Sequence, residues 1–520
     1  MENSGRRRLR EMNTESRKIV RNASIVAGAT LLSRILGFVR DLIVAYTLGA
    51  GLPADAFFVA FRIPNLMRRL FGEGSLTMAF VPVFSRVRAE KGDQAAGDMA
   101  RSALRWLVAI LGLISIAVYF GANPLTRLIA PGFERNPELM TLTVHLVRIC
   151  FPYVIFICGV ALCMGILNSR GHFLAPALAP CVLNLSLIGA SLAGYYCGYS
   201  VAVSMSWGVL IGGFLQWSLQ QPFLKRMGLS WFGSWSFKNS GVRRMGRLML
   251  PTVLGAAVYQ INIVLGTLLA SFLKVGSVSY LYYADRLVQF PLGVFGIAVG
   301  TAALPSLSVL AAKGRSDEFA STLKMTIGLT LFISLPAMAG LIALAHPLIA
   351  LLFQRGEFTV EAVRATAMAL VAYSAGLPFI AMSRPLVSAF YALEDTKTPV
   401  KIAIVCLLIN VGAGYVLMQS FAHVGLAMAV SISSAVNCLL LSFFINRKIK
   451  HIPICWSGAF KSLLLSALIG AGAYYGPQSH WLWFALIPLW MAVYGFGSYI
   501  LKSEEAVMLV SAFRRKLGRG

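Results

Sequence analysis

Charge is scarce in this chain. Only 13% of its 520 residues are Asp, Glu, Lys or Arg, about half the ~25% usual in soluble domains. Acids are scarcest, at 20 against 46 Lys and Arg. Only seven are aspartates, and no two are near neighbours within the apolar segments. A site in which paired carboxylates hold Mg²⁺ is therefore disfavoured. The six histidines are scattered. The eight cysteines (Cys150, Cys158, Cys163, Cys181, Cys197, Cys406, Cys438 and Cys455) lie in or at the edge of apolar runs without pairing or metal spacing. They read as small buried hydrophobes. No G-x-x-x-x-G-K-[ST] loop for ATP is present.

What the chain has in abundance is hydrocarbon. It is 58% hydrophobic, with a mean hydropathy of +0.73. Apolar runs of twenty or more residues recur from Asn22 to near Leu501, each long enough to cross a bilayer. Backbone groups in hydrocarbon need internal partners, so such runs are helices. A soluble multidomain protein is excluded. The net charge of +26 does not point to nucleic acid here. It reflects Lys and Arg in cytoplasmic loops and arginines inside the helices. The first 21 residues resemble a signal-peptide n-region. The run after them carries Arg34, Arg40 and Asp41 and lacks a small-x-small cleavage site, so it reads as a retained first helix.

Fourteen spans are expected: 22–49, 53–88, 98–122, 138–167, 173–197, 201–223, 242–273, 277–311, 319–345, 360–393, 399–419, 423–446, 457–476 and 480–501. The second should break at Gly72-Glu73-Gly74 and the eighth bend at Pro291. With the N-terminus inside, the even-numbered returns should be basic, and they are. Arg86, Arg88 and Lys91 follow span 2; Lys225 and Arg226 follow span 6; Arg447 and Lys448 follow span 12. The loops after spans 5, 11 and 13 carry no Lys or Arg. This alternation implies an even count and both termini cytoplasmic.

Three prolines recur at an offset of 223: Pro82 and Pro305, Pro124 and Pro347, Pro176 and Pro399. An offset of six spans preserves orientation, so the halves are parallel repeats, a common transporter plan. The expected architecture is all-α and polytopic. It has two pseudo-symmetric six-helix lobes (22–225 and 242–448), two extra helices (457–501), and basic tails at 1–21 and 502–520. The site is expected in a central cavity between the lobes.

Ionisable residues inside membrane helices are costly and usually face a cavity or a partner. Span 1 holds Arg34, Arg40 and Asp41. Arg34 lies about 18 Å from the helix start at 1.5 Å per residue. Span 2 holds Asp55, Arg62 and Arg69 at seven-residue spacing, with Asn65 and Arg68 beside them; span 8 holds Asp285 and Arg286. Arginine stays charged and pairs with phosphate oxygens, so a cavity rich in arginine would attract a pyrophosphate. The alternative is internal pairing: Arg34 with Asp41, Arg62 with Asp55, Arg286 with Asp285.

Several of these stretches are similar to one family. Ser33-Arg34-Ile35-Leu36-Gly37-Phe38-Val39-Arg40-Asp41 and Ala54-Asp55-Ala56-Phe57-Phe58-Val59-Ala60-Phe61-Arg62-Ile63-Pro64-Asn65-Leu66-Met67-Arg68-Arg69 resemble the MurJ (MviN) lipid II flippases. So do Ala79-Phe80-Val81-Pro82, Ala130-Pro131-Gly132-Phe133, Tyr282-Tyr283-Ala284-Asp285-Arg286 and Lys397-Thr398-Pro399-Val400-Lys401. The resemblance runs in order through nearly the whole chain. It implies the fold of the multidrug/oligosaccharidyl-lipid/polysaccharide exporter superfamily. It also implies transport of undecaprenyl-pyrophosphate-linked muropeptide across the bacterial inner membrane by alternating access. The family's essential cavity arginines fall on Arg34, Arg40, Arg68 and Arg286, and a sensitive aspartate on Asp55. Further cavity positions fall on Ala45 and Ser279. Asp41, Asp55 and Asp285 are expected as charge partners, with Arg62, Arg69 and Asn65 in secondary places. Some members have Glu where this chain has Gln289. No catalytic residue, metal or cofactor is implied, and no nucleic acid. Coupling is expected from membrane potential or an ion. Lipid II, membrane lipids and cell-wall synthesis proteins are the expected partners. The rivals are a flippase for another polyprenyl-linked sugar, a drug or cation antiporter, a membrane enzyme acting on prenyl phosphates and an envelope scaffold. An antiporter for cations would want an acid-dominated cavity.

Overall fold

Proline and glycine decide where these helices stop. The computed structural model describes residues 2–70, 76–293, 297–449, 456–474 and 480–517. All regular structure among the described residues is helical. Helix α1 (Glu2–Leu48) ends at Gly49, whose φ of 67° only glycine adopts without penalty. It runs on through residues 2–21, where a tail was expected. Helix α2 (Leu52–Met67) has Pro53 in its first turn, where the missing N–H costs nothing. The expected break at Gly72-Glu73-Gly74 lies outside the described residues. Before it, α2 widens into a π turn over 68–70; after it, α3 (Leu76–Phe120) begins. Two expected spans run together in α3 and meet at Gly92, φ 83°. The chain continues through α4 (Ala122–Ile129), a 3-10 turn (Pro131–Arg135), α5 (Pro137–Cys150), α6 (Tyr153–Ser169), α7 (Leu174–Tyr196), α8 (Val201–Arg226) and α9 (Ser240–Ser271).

The later elements are α10 (Ser277–Pro291), α11 (Ile297–Ala312), α12 (Ser316–Ala343), α13 (Ala345–Phe353), α14 (Val360–Ala375), α15 (Leu377–Ala392), α16 (Lys397–Lys448), α17 (Trp456–Tyr474), α18 (His480–Ile500) and α19 (Glu504–Leu517). The bend expected at Pro291 is the end of α10. Expected spans 11 and 12 lie within α16, on either side of Ala422 (φ 49°). The segment 502–520, expected as a tail, instead carries α19. The chain divides into two compact units, Met1–Leu268 and Leu269–Gly520. Most of α9, expected to open the second lobe, therefore packs with unit 1.

Every expected span has a helical counterpart, but not every counterpart is one apolar rod. Among the described residues six spans are long and apolar enough to cross a bilayer (α3, α5 with α6, α7, α8, α12 and α16), and α14 with α15 makes a seventh, bent by 41°. Two of the six, α3 and α16, each hold more than one expected span. Among the rest, α1, α2 and α10 are the helices that carry the named arginines and aspartates. The interruption of the apolar pattern and the placement of charge are thus one feature.

The repeat is visible in the element order of each unit. Pro82 and Pro305 lie inside α3 and α11; Pro124 and Pro347 both lie in short helices, α4 and α13; Pro176 and Pro399 are each the third residue of their helix, α7 and α16. The α5–α6 break at Phe151-Pro152 matches the α14–α15 break at Gly376. The cores match as well. Phe80, Phe84, Leu162 and Ile166 pack together in unit 1, and Leu307, Phe319, Leu386 and Phe390 in unit 2. In unit 1, α7 and α8 approach closely because Gly208 and Gly212 face Ala190 and Leu183. A Cβ on either glycine would fall 2.5 Å or 2.8 Å from those side chains. Small residues serve this purpose where lipid supplies no hydrophobic drive.

The loops are tied down by polar contacts. Arg101 donates to the carbonyls of Ser234 and Ser230, both at 2.9 Å, and holds the 227–239 connection against α3. Asp395 accepts from the backbone N–H of Lys397 and Thr398 and capsthe start of α16. Lys448 at the other end of α16 reaches the same carboxylate at 2.5 Å. That ammonium, followed by the Thr398 donors, holds the Asp395 carboxyl well below the usual carboxylate range. Of the cysteines, Cys197 is exposed, six others are buried and free, and Cys455 lies outside the described residues.

Candidate functional site

The named charges of unit 1 come from two helices. On α1, Arg40 is locked in place. Its Nε and Nη2 donate to Asp41 Oδ1 at 3.1 Å and 2.7 Å, and its Nη1 donates to Asn184 Oδ1 on α7 at 3.1 Å. Asn184 in turn donates through Nδ2 to the carbonyl of Ser33 at 3.1 Å. Asp41 is 4% exposed and Asn184 7%, so the network is mostly dry and its hydrogen bonds are correspondingly strong. Asp41 thus serves Arg40, not Arg34. Arg34 is exposed and forms no hydrogen bond or ion pair among the described residues.

On α2, Asp55 sits in the first turn at 1% exposure, where an acid suits the positive end of the helix. Arg62, two turns on, is half-buried, and both residues are engaged within the protein. Pro64 lacks an N–H, and the helix then opens into the π turn that begins at Arg68. Such turns recur at functional sites. Arg68 reaches back one turn: Nε and Nη2 donate to Asn65 Oδ1 at 3.0 Å and 2.9 Å. Asn65 is neutral, so it orients the guanidinium without cancelling its charge. Arg69 is half-buried and has no partner among the described residues. In α1 and α2 five named arginines stand against two aspartates. Ala45 is fully buried in α1.

Unit 2 carries the remaining named residues on α10. Arg286 donates from Nη2 to the Tyr282 hydroxyl at 3.0 Å, and its guanidinium lies 4.7 Å from the centre of that ring. Tyrosine holds a cation by ring face and hydroxyl together. Asp285 does not pair with Arg286; it accepts a 3.4 Å hydrogen bond from Gln289 Nε2 and makes no ion pair among the described residues. Gln289 is exposed, and Ser279 is fully buried.

Arg148 and Arg384 are among the membrane arginines that escaped the sequence reading, and the signal was available in both cases: an arginine within an apolar span. Arg148 on α5 is satisfied by the Tyr119 carbonyl at 3.1 Å and the Tyr119 ring at 5.5 Å, a structural arrangement. Arg384 on α15 is half-buried, about 14 Å from the C-terminal end of its span at 1.5 Å per residue. It has no hydrogen bond or ion pair among the described residues. Among the described residues no group of three or more His, Cys, Asp or Glu is placed to hold a metal.

The chemistry on offer is anion recognition. Asp41 and Asn184 hold the Arg40 guanidinium, Asn65 accepts from Arg68 and Tyr282 from Arg286, while Arg34 and Arg69 have no partner among the described residues. Comparison with known proteins gives the family and the fold. The family described as "Lipid II flippase MurJ" matches residues 44–494. A probable lipid II flippase MurJ of Vibrio cholerae is 38% identical over 441 residues, covering 82% of this chain and 83% of that protein. Another from Bdellovibrio bacteriovorus is 35% identical over 502 residues, covering 96% and 94%. A solved structure of lipid II flippase MurJ in an inward closed conformation superposes with a TM-score of 0.80 at 29% identity, over 92% of this chain and 98% of that one. An inward-facing multidrug transporter of the MATE family, 15% identical, superposes with a TM-score of 0.67 over 83% of this chain and 98% of that one, a likeness of fold alone.

Proposed function

The chain belongs to the lipid II flippase MurJ family, and from that footing we propose how its arginines handle the substrate. The protein is a membrane transporter and not an enzyme: it moves lipid II, the undecaprenyl-pyrophosphate-linked peptidoglycan precursor, from the cytoplasmic to the periplasmic leaflet for cell-wall synthesis. Arg34, Arg40, Arg68 and Arg286 bind the pyrophosphate and sugar head as it leaves water, while the prenyl tail stays in lipid.

Arg34 carries this reading. A guanidinium deep in a membrane helix, exposed and without an acid, is tolerated only where water or an anion meets it. Arg40 and Arg68 are already oriented by Asp41, Asn184 and Asn65, so little side-chain entropy is lost when phosphate arrives. Asp41, Asp55 and Asp285 exchange partners with the arginines as access alternates. Membrane potential or an ion biases the cycle. The alternation of Lys and Arg along the loops supports both termini lying in the cytoplasm.

The test is lipid II sidedness in cells depleted of this protein. An externally added lipid II-cleaving protein reports the outer-leaflet fraction. Cleavage should fall while total lipid II persists or rises, and wild-type but not Arg34→Ala should restore it. Unchanged cleavage on depletion, with no second flippase present, would refute the assignment.

A further inference from the structure

Unit 2 contains a polar seam on its last three helices. Helix α17 carries Gly458, Ser462 and Ser466 at four-residue spacing, and α18 carries Trp490, Tyr494 and Ser498 at the same spacing; each triplet forms one helical face. The Tyr494 hydroxyl donates 2.9 Å to the carbonyl of Phe332 on α12 and lies beside the hydroxyls of Ser462, Ser466 and Ser498. Those three serines are 2%, 1% and 1% exposed. The chain then turns through Lys502 (φ 50°), Ser503 Oγ accepts from the Ala506 N–H, and α19 begins. This turn places Glu505 at the end of the seam.

Glu505 is 7% exposed. A Cβ on Gly328 of α12 would fall 2.7 Å from its Oε1, and one on Gly458 would fall 3.0 Å and 3.2 Å from Oε1 and Oε2. Only glycine at both positions leaves room for the carboxylate. The nearby ammonium groups are directed elsewhere. Lys324 of α12 lies 3.8 Å from Glu504, and Lys461 of α17 donates 2.9 Å to the Leu501 carbonyl. Tyr494, the titratable group of α18 at this end, already donates to Phe332. Glu505 Oε2 and Ser498 Oγ are both buried without a hydrogen-bond partner.

A carboxylate with a buried oxygen that has no hydrogen-bond partner is expensive, and the first turn of α19 offsets only part of that cost. We propose that Glu505 and the serine-lined seam form a binding site for an alkali cation, which neutralises the carboxylate and holds α19 against α12 and α17. Carboxylate and hydroxyl oxygens are the ligands a hard cation prefers. The site does not depend on what the arginines bind. The docked helix holds the cation and the undocked helix releases it. Docking therefore strengthens with sodium.

The experiment uses the full-length protein in nanodiscs of neutral lipid. It reads the hydrogen-exchange protection factor of residues 504–511 against sodium at fixed pH, together with binding of ²²Na⁺. Wild type should hold one more ²²Na⁺ than Glu505→Gln, and its protection should rise with sodium, while that of Glu505→Gln, permanently neutral, should not change with sodium. Ser498→Ala, which keeps the carboxylate, should shift the sodium transition. Protection indifferent to sodium in wild type overturns the proposal, whether or not the Glu505→Gln variant folds.

Discussion

The Arg40–Asp41–Asn184 network makes a quantitative claim: Arg40 is built into the fold as well as offered to the substrate. Two hydrogen bonds run to one carboxylate oxygen, at 3.1 Å and 2.7 Å, and a third to an amide at 3.1 Å. Side-chain exposure is 14% for Arg40 and 6% for Asp41. Removing one partner of a buried ion pair costs about 3–5 kcal/mol, because the other charge is left stranded. With Arg40 partly solvated, about 2–4 kcal/mol is expected for Asp41→Asn. Arg40→Gln takes this ion-pair partner from Asp41 and should cost a similar amount. The double variant strands neither charge. It should recover to within about 1 kcal/mol of wild type, a coupling well above the ~0.5 kcal/mol scatter of independent sites. The assay is reversible unfolding of the purified protein in mixed micelles, paired with lipid II sidedness in cells. Stability and transport should part company: the double variant folds, yet it lacks the Arg40 guanidinium and fails to flip. Additive losses in the double variant would mean that the two side chains do not support each other, and the pre-orientation argument would fall with them.

Arg34 is the opposite case. With no partner among the described residues, Arg34→Gln should leave stability within about 0.5 kcal/mol of wild type and abolish lipid II appearance at the outer leaflet; a destabilised variant would reveal a structural role. Arg384→Gln should reduce lipid II transport at unchanged membrane abundance, measured by the same sidedness assay with immunoblotting, and wild-type transport in that variant would remove Arg384 from the substrate path. Asp395→Ala should cost about 1–2 kcal/mol, as loss of a helix cap does, read by the same unfolding assay. Because the Asp395 carboxyl is held low in the folded state, its contribution is fully present above the ordinary carboxylate range and is lost as pH falls below it. The wild-type and Asp395→Ala curves should therefore converge only in acid.

Much of this was written in the sequence, because the bilayer leaves the chain few choices. Apolar length dictated the helices, and loop charge ordered them. The offset of 223 between prolines foretold matched elements down to the short helices at Pro124 and Pro347. What escaped was fine structure that periodicity does not encode. Asp41 lies on the same face of α1 as Arg34, at seven-residue spacing, yet it serves Arg40, because Asn184 on a helix far along the chain holds that guanidinium. The tail after Leu501 looked basic and plain, but Ser503 caps a further helix there. Most of α9 went with unit 1, since a membership decided by packing leaves no mark in a hydropathy pattern. Arg384 was legible and was passed over, although its span also carries Glu361 and Arg364.

The arginines divide by how they are held, and that division bears on transport. An anion carrier must bind its substrate tightly enough to strip water from a pyrophosphate, and loosely enough to release it. A set of arginines all without partners would bind too well and would repel one another in the empty state. A set all paired with aspartates would have nothing to give. In this chain Asp41 pairs with Arg40, Asn65 is among the groups that hold Arg68 and Tyr282 among those that hold Arg286, and Arg34 has no partner among the described residues. The graded series lets affinity be tuned through the partner. Strengthening the hold on Arg68, by Asn65→Asp, should turn an orienting amide into a competing anion. Lipid II binding in detergent should weaken by roughly tenfold or more, the equivalent of about 1.4 kcal/mol or above, while the fold gains from the new ion pair. Tighter binding in Asn65→Asp would show that the Arg68 charge is not spent on the substrate, and the graded scheme would fail at its second member.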